Sequence, residues 1–357
     1  MNNKKKNRIL GIPNRVIVLV CIILGFLAAY FLYYPVLPHI QLPAEPYPGE
    51  PLFTLPVIGE FYWTNTLTAT LIADVILILV AFFVRRAVKK GDLIPRGISG
   101  AIEFIIEAIH NLTESTAGKW TKAIFPFFAT IMLLVLVVNW TELIPGVDSV
   151  GFIVKAEHEG YPVEEVIPGV YTILSDRDAT KKIEEGMHIE GVAESEGEHS
   201  DGEHSEGTGY SLLPYVRVAS TDLNFTLALA LISVTMTQVF GFRSLGWSYF
   251  TKFINVGGIF KRPMFGLIDF GVGLLELVSE ISKILSFSFR LFGNIFAGSV
   301  LLFVIGTLVP VVAQSAFLGL EFFVGIIQAL VFGMLTMVFM SQAVVGHGDH
   351  AEEEGAH

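Results

Sequence analysis

Long apolar runs separated by short polar stretches form the main pattern along the chain. A helix rises about 1.5 Å per residue, so about 20 apolar residues cross the roughly 30 Å hydrocarbon core of a membrane. Such runs cover about residues 16–34, 64–84, 124–140, 223–240 and 316–340, and a longer apolar segment lies between Pro263 and Pro310. The pattern predicts an all-α polytopic membrane protein with about six membrane helices.

Residues 97–120 follow a different pattern, in which isoleucines recur at helical spacing among polar residues. This periodicity predicts an amphipathic helix with one apolar face. The isoleucines of that face are Ile98, Ile102, Ile105, Ile106 and Ile109. The segment is too polar for a membrane span, so we expect this helix to lie along the membrane surface.

The segment between Pro263 and Pro310 is too long for an upright span. It has no proline in its interior, and as one helix it would measure roughly 65–70 Å, whereas membrane helices rarely tilt by more than about 40°. We therefore expect it either to break or to lie strongly tilted. Glu276, Lys283 and Arg290 are spaced seven residues apart and so share one face. This polar stripe predicts contact with water or with a protein partner rather than with lipid.

Arg290 is the most unfavourable residue of the polar stripe in a membrane. A guanidinium at the centre of the bilayer costs at least about 2.5–3.5 kcal/mol and does not lose its proton. Ionisable residues at this depth usually mark ion pathways, so we interpret the stripe as the lining of an ion path. A buried ion-pair network that only joins helices is the alternative. In the last span, Glu321 and Gln328 are again seven residues apart and share one face.

Composition agrees with a membrane protein and excludes the soluble classes. The chain has 357 residues, of which 52% are hydrophobic and only 16% charged, against about 25% charged in soluble proteins. Much of the net charge of −11 comes from residues 148–206 and from the AEEEGAH tail, which we expect in water. The single Cys21 excludes a disulfide framework and a cysteine-based metal site. No cofactor and no metal are predicted.

The distribution of Lys and Arg orients the spans, because basic flanks stay on the cytoplasmic side. MNNKKKNR, RRAVKK and FRSLGWSYFTKF all fall inside, which leaves the acidic segment outside and both termini in the cytoplasm. The basic start lacks the look of a transit peptide, which favours the plasma (inner) membrane of a bacterium. A cleaved signal peptide is the alternative interpretation of the first span.

These patterns divide the chain into five parts. They are a basic segment with the first span and a Pro-rich external loop (1–60), two spans with the amphipathic helix (61–147), an acidic external loop predicted to be mobile (148–210), the fourth span with the long segment and last span (211–345), and a cytoplasmic tail (346–357). The acidic loop is rich in Gly and Ser, which favours a solvated segment over a metal site for its histidines. These are His188, His199 and His204, and the tail histidines His347, His350 and His357 have the same interpretation.

Four motifs, in order along the chain, resemble subunit a of the membrane sector (Fo) of F-type ATP synthases. They are NWTELIPG, ASTDLNFTLALAL, SKILSFSFRLFGNIFAG and IIQALVFGMLTMVFM. The resemblance covers about residues 60–343. It implies that the long segment and the last span form a strongly tilted helical hairpin beside a rotating ring. In this family, the arginine that matches Arg290 faces the carboxylates of that ring.

The resemblance further implies a non-catalytic stator subunit with two proton half-channels. Its partners would be a c-type proteolipid ring, a b-type peripheral stalk subunit, the rest of the synthase and lipid, with no nucleic acid. The alternative function is a self-contained proton- or ion-coupled secondary transporter. Such transporters usually carry paired internal repeats, and the chain has no second copy of the polar stripe.

Position relative to Arg290 assigns the polar residues to the two half-channels. The inner half-channel, through which protons leave, takes Glu276, Ser282, Lys283 and Ser286. The outer half-channel, through which they enter, takes Gln328, Asn294, Glu321, Ser299, Asn139, Glu142, Ser220, Asp222 and Asn224. Gln328 is the expected hydrogen-bonding neighbour of Arg290.

Two carboxylates, Glu321 and Asp74, each have two possible roles. Family members often carry an ionisable residue where this chain has Ser299 and a histidine where it has Glu321. Here Glu321 either relays protons together with water or is a solvated residue at the outer helix end. Asp74, in the second span, either makes a structural hydrogen bond or contributes indirectly to the outer side.

Overall fold

A computed structural model of the chain describes residues 8–9, 12–32, 44–56, 59–89, 98–156, 160–175, 178–180, 182, 209–253, 263–308 and 312–344. The helices are α1 Asn14–Leu32, α2 Asn65–Lys89, α3 Ile98–Ala117, α4 Thr121–Thr141, α5 Leu223–Leu245, α6 Pro263–Leu308 and α7 Val312–Val344. Five helical stretches among the described residues are long and apolar enough to cross a membrane, namely 65–86, 102–141, 223–249, 270–308 and 313–344. In α1, the stretch Val16–Gly25 is apolar but shorter. The predicted class, an all-α polytopic membrane protein, is confirmed.

Helix α6 is continuous over 46 residues. Of the two predicted alternatives, a break is therefore wrong, and a helix of about 69 Å remains. Strong tilt stays a prediction. Pro263 occupies the first helical position, where its missing N–H leaves no intrahelical hydrogen bond unmade. Side-chain contacts at three levels make α6 and α7 a helical hairpin. They join Phe287 to Phe332, Gly298 to Glu321 and Gly306 to Gln314.

Short antiparallel strands accompany the helices. They are β1 Arg8–Ile9, β2 Ile12–Pro13, β3 Phe53–Leu55, β4 Gly59–Phe61, β5 Gly151–Lys155, β6 Val163–Ile167, β7 Val170–Ile173 and β8 Tyr210–Pro214. They pair as β1 with β2, β3 with β4, β5 with β8, and β6 with β7. The segment predicted as an acidic external loop (148–210) begins with β5, β6 and β7, and β8 starts at its end. Within it, VIPGVYTILSD, which could form a small ordered piece, supplies the end of β6 and all of β7. The external side and the mobility of the segment stay predictions. The histidines of the acidic segment and the tail lie outside the described residues.

The described residues group into two compact units. The first takes those within 1–41, 145–216 and 297–322 and includes β5 to β8. The second takes those within 42–144, 217–296 and 323–357 and holds most of the buried apolar side chains. In its core, Phe128 and Val135 of α4 and Met337 and Met340 of α7 are fully buried.

Small residues allow α4 and α7 to approach closely within the second unit. A Cβ atom added to Gly333 would lie 2.9 Å from both Met132 Cβ and Phe128 Cε2, closer than packed carbon atoms tolerate. One added to Gly325 would lie 3.3 Å from Asn139 Cβ. Small residues commonly line helix contacts in membranes, because dispersion contacts there replace the hydrophobic driving force. These glycines therefore fix the α4–α7 contact that positions Asn139.

Candidate functional site

Helix α6 presents Arg290 away from the core of its own unit. The residues Ser282, Ser286, Arg290 and Asn294 are exposed, whereas Phe287, Leu291 and Ile295 on the other side of the helix are buried. Arg290 Nη2 donates to Ser286 Oγ at 3.4 Å, one turn earlier. A charge on an outward face at membrane depth needs water or a negative partner outside the chain.

The buried side of α6 is held directly behind Arg290. Ser288 Oγ and Thr226 Oγ1 of α5 lie 3.1 Å apart, and both residues are fully buried. Thr226 also donates to the carbonyl oxygen of Leu223 at 3.1 Å. A hydroxyl group has only one hydrogen, so Ser288 then supplies the donor of the pair. This contact holds the face of α6 opposite Arg290 against α5.

A second polar cluster lies earlier on α6, around Glu280. Lys283 Nζ donates to Glu280 Oε1 at 2.8 Å, and Gln238 Nε2 of α5 donates to Glu280 Oε2 at 2.9 Å. Tyr249 OH donates to Gln238 Oε1 at 2.7 Å. Lys283 also lies 4.8 Å from the ring centroid of Phe339 in α7. Residues of four elements therefore take part in this cluster, in which the Glu280 carboxylate accepts from Gln238 and Lys283.

The sequence pattern placed Lys283 in a half-channel but gave no role to Gln238 and Tyr249. Gln238 is a polar residue in the last turns of an apolar helix, and this position in the sequence could have indicated a functional residue. Tyr249 gave no such signal, because its contact with Gln238 depends on the 3₁₀ turn Gly246–Lys252 after α5. Of the other inner residues, Glu276 is half-buried, and Ser282 donates to the carbonyl oxygen of Val278 on its own helix.

Three residues predicted for the outer half-channel make defined contacts within the second unit. Two of them are hydrogen-bonded to each other, and the third caps a helix. Ser220 Oγ donates to Asn139 Oδ1 at 2.6 Å, and Asn139 Nδ2 donates to the carbonyl oxygen of Gly325 at 3.4 Å. Asp222 is the N-cap of α5 and accepts from the backbone N–H of Asn224 at 2.9 Å. Capping of this kind satisfies a free N–H at the helix start.

Asp222 also joins α5 to α2. Its Oδ2 accepts from Thr66 Oγ1 at 3.2 Å, and both residues are buried. Asn65, beside Thr66, donates to Glu45 Oε2 at 3.1 Å. Asp222 therefore has a structural role, whatever part it takes in ion movement. Asn224 is exposed, and Glu142 is half-buried.

Glu321 lies in a confined position of the first unit. Its side chain is buried with 7% exposure, and Oε2 makes no hydrogen bond to the part of the chain that the structure describes. The carboxyl lies against the backbone of Gly298, so close that a Cβ atom there would collide with both oxygens and with Cδ. Ser299 follows and is half-buried. The alternative of a solvated Glu321 is therefore wrong.

Two predictions concerning single residues are left open by the geometry. The guanidinium of Arg290 donates to Ser286, and Gln328 is half-buried on α7, so their predicted pairing stays a prediction. Asp74 is half-buried on α2, and both interpretations of it remain. Among the described residues, no group of three metal-ligating side chains is present.

The fold and the site define a class: a polytopic α-helical membrane protein with a long hairpin that carries an outward arginine. Residues 67–341 match the family described as ATP synthase A chain. The chain belongs to this family.

Curated relatives agree with the family. ATP synthase subunit a of Teredinibacter turnerae is 27% identical over 288 residues, 76% of each chain. ATP synthase subunit a of Campylobacter fetus is 25% identical over 80% of this chain and 92% of the relative, and that of Mycobacterium bovis is 26% identical over 71% and 75%. These relatives support the proton-translocating stator role, and nothing favours the transporter alternative.

Proposed function

We propose that this chain is the non-catalytic stator that forms both proton half-channels of a rotary F-type ATP synthase, beside a c-type ring and a b-type peripheral stalk subunit. The observation that carries the proposal is the outward position of Arg290 on a continuous 46-residue helix. A fixed cation on that face suits a partner whose carboxylates pass in front of it.

The proposed cycle uses Arg290 as an electrostatic switch. A proton enters from outside, neutralises a ring carboxylate and lets it rotate into lipid. After nearly a full turn, the carboxylic acid reaches the inner half-channel and releases its proton near Arg290. The guanidinium favours the ionised carboxylate by Coulomb attraction, which is stronger at low dielectric than in water. It also repels a proton that would cross directly between the half-channels.

The side assignments extend the proposal to the remaining residues. Glu276, Ser282, Lys283 and Ser286 precede Arg290 on α6 and belong to the inner half-channel. Gln328, Asn294, Glu321, Ser299, Asn139, Glu142, Ser220, Asp222 and Asn224 belong to the outer half-channel. Both termini are cytoplasmic in this arrangement, and the membrane is the bacterial plasma membrane. Each charge that crosses 100 mV supplies about 2.3 kcal/mol, so several protons drive each ATP.

Substitution of Arg290 tests the proposal. In the assembled complex in sealed vesicles, Arg290→Ala should reduce proton-driven ATP synthesis to background, because no fixed cation then promotes proton release from the ring. Arg243→Ala is the matched control, since Arg243 is an exposed arginine in the last turn of α5. Normal, coupled synthesis by the Arg290→Ala complex would overturn the proposed function.

A further inference from the structure

The cluster around Glu280 contains two residues for which the proposed function has no role yet. Tyr249 is 4% exposed, and its ring lies against Gly241 of α5, where a Cβ atom would collide with it. Its hydroxyl donates to Gln238 at 2.7 Å, and Gln238 donates to Glu280 at 2.9 Å. The result is a short hydrogen-bonded chain that ends on a buried carboxylate.

The chemistry of the amide decides what this chain of hydrogen bonds can do. A carboxylate only accepts, so the Nε2 of Gln238 faces Glu280 and its Oε1 accepts from Tyr249. A proton cannot pass from Tyr249 to Glu280 through this amide without leaving it as an imidic acid tautomer. Gln238 and Tyr249 therefore do not relay protons. They fix the carboxylate from its buried side.

The other side of Glu280 faces the polar stripe. Lys283 holds the second carboxylate oxygen at 2.8 Å, and Lys283 lies one residue beyond the exposed Ser282. Glu280 thus accepts one hydrogen bond from the neutral amide of Gln238 on its buried side and one from the half-buried Lys283 on the other. Glu280 is buried and Lys283 is half-buried, so the pair lies between the packed interior of the unit and the exposed face of α6.

We infer that Gln238 and Tyr249 are positioning residues of the inner half-channel. They hold Glu280 against Lys283. The leaving proton binds the Glu280 carboxylate and then passes to water on the inner side, and the Lys283 ammonium stabilises the carboxylate that remains. The inference rests on the proposed function. The titratable groups around the pair are Glu276 on α6 and Tyr249, on whose hydroxyl both Glu280 and Glu276 act electrostatically. Helix α5 contributes the amide of Gln238, and α7 contributes the ring of Phe339.

The test uses the assembled membrane sector in sealed vesicles, and its readout is passive proton conduction. The pH on the cytoplasmic side of the subunit (inside pH) and the pH on the opposite side (outside pH) are set independently. We expect Gln238→Leu to reduce conduction by about tenfold, as for the loss of a hydrogen bond to a charged group. Glu280→Gln removes the carboxylate that takes up the proton, so its loss of conduction should be at least as large. The loss of proton conduction relative to the parent complex should change with inside pH and not with outside pH. Tyr249→Phe keeps the ring against Gly241 and should give a smaller loss with the same dependence. Gln238→Asn, which keeps an amide on a shorter side chain, should lose less than Gln238→Leu.

Ser233→Ala is the structural control. Ser233 lies on α5 as Gln238 does, and its hydroxyl is 2.7 Å from Thr336 Oγ1 in a fully buried pair. Ser233→Ala removes the hydroxyl and with it a buried hydrogen bond between α5 and α7, but leaves the contacts of Glu280 unchanged. Proton conduction should therefore keep its normal dependence on inside pH. If Gln238→Leu and Tyr249→Phe behave like Ser233→Ala, or depend equally on both pH values, the inference is wrong. If instead Arg290→Ala still supports synthesis, the proposed function fails, whichever way these variants behave.

Discussion

At the scale of single residues, Gly298 decides whether the Glu321 carboxyl fits between α6 and α7. The carboxyl occupies the space that a side chain on residue 298 would need. Glu321 is buried, and its Oε2 has no hydrogen bond to any described residue. A buried carboxyl oxygen that accepts from none of the described residues suits a group that exchanges protons with water, and this is the role proposed for Glu321.

Gly298→Ala adds only one methyl group but should displace the Glu321 carboxyl. The added methyl group forces the carboxyl or the helix to move, at a cost of about 1–3 kcal/mol. We expect lower proton-driven synthesis and a lower thermal stability of the purified complex. Shortening the partner in Gly298→Ala/Glu321→Asp should recover part of both.

Gly271→Ala provides the comparison on the same helix. Apart from the local backbone of α6, no atom of the described residues lies within 4 Å of a Cβ atom at this position. Its substitution should therefore leave synthesis and stability close to those of the parent chain. Equal losses in the Gly271→Ala and Gly298→Ala complexes would show that the effect comes from α6 in general. The contact with Glu321 would then have no special role.

Sequence spacing predicted the face of Arg290 but not the partners of its neighbours. The seven-residue spacing placed Glu276 and Lys283 together with Arg290, whereas the ion pair of Lys283 is with Glu280, three residues away. Gln238 and Tyr249 come to Glu280 from other elements, with Gln238 42 residues before it. Contacts of this kind depend on the packing of helices, and periodicity within one helix contains no information about them.

At the scale of elements, α5 joins both helices of the hairpin. Thr226 pairs with Ser288 of α6 at 3.1 Å, and Ser233 pairs with Thr336 of α7 at 2.7 Å. The two α5 residues are seven apart and so lie on one face of that helix. Hydroxyl pairs fix the rotation and height of neighbouring helices, which apolar contacts alone specify less sharply.

Thr226→Val tests the contribution of this contact, because the substitution keeps the shape of the side chain and removes its hydroxyl. Ser288 then loses its buried partner. Hydrogen bonds between membrane helices contribute about 0.6 kcal/mol on average and up to about 1.7 kcal/mol. We expect a loss within this range in the unfolding free energy of the detergent-solubilised chain.

A double-mutant cycle isolates the pair from the effects of each substitution. Ser288→Ala alone should destabilise by a similar amount, and Thr226→Val/Ser288→Ala should cost less than the two losses added together. Strict additivity would mean that the two hydroxyls do not interact. In that case, the rotation of α6 must be set by its apolar contacts.

At the scale of the whole molecule, apolar run length predicted nearly all the helices, since an apolar run in a membrane leaves the backbone no alternative to helix. The strands, in contrast, were not predicted from the sequence. GFIVK and YSLLP form β5 and β8, yet they lie on opposite sides of an acidic Gly- and Ser-rich segment whose average composition predicts a mobile loop. Strand pairing at such a separation is non-local, and composition does not report it. The sides of the membrane, by contrast, were predicted from Lys and Arg alone.

Cysteine labelling tests this topology. After Cys21→Ser removes the single native thiol, Lys155→Cys places a thiol on the exposed end of β5, and Arg86→Cys places one on exposed α2. In sealed right-side-out vesicles, a membrane-impermeant maleimide should label residue 155 directly and residue 86 only after permeabilisation. The Cys21→Ser chain without a new thiol gives the background. Direct labelling of both positions in intact vesicles would place RRAVKK outside, contrary to the rule that basic flanks remain in the cytoplasm. If residue 155 instead reacted only after permeabilisation, β5 and the start of α5 would lie inside. The side of Glu280 would then reverse, and the pH dependence expected for its variants would follow the pH on the opposite side of the membrane.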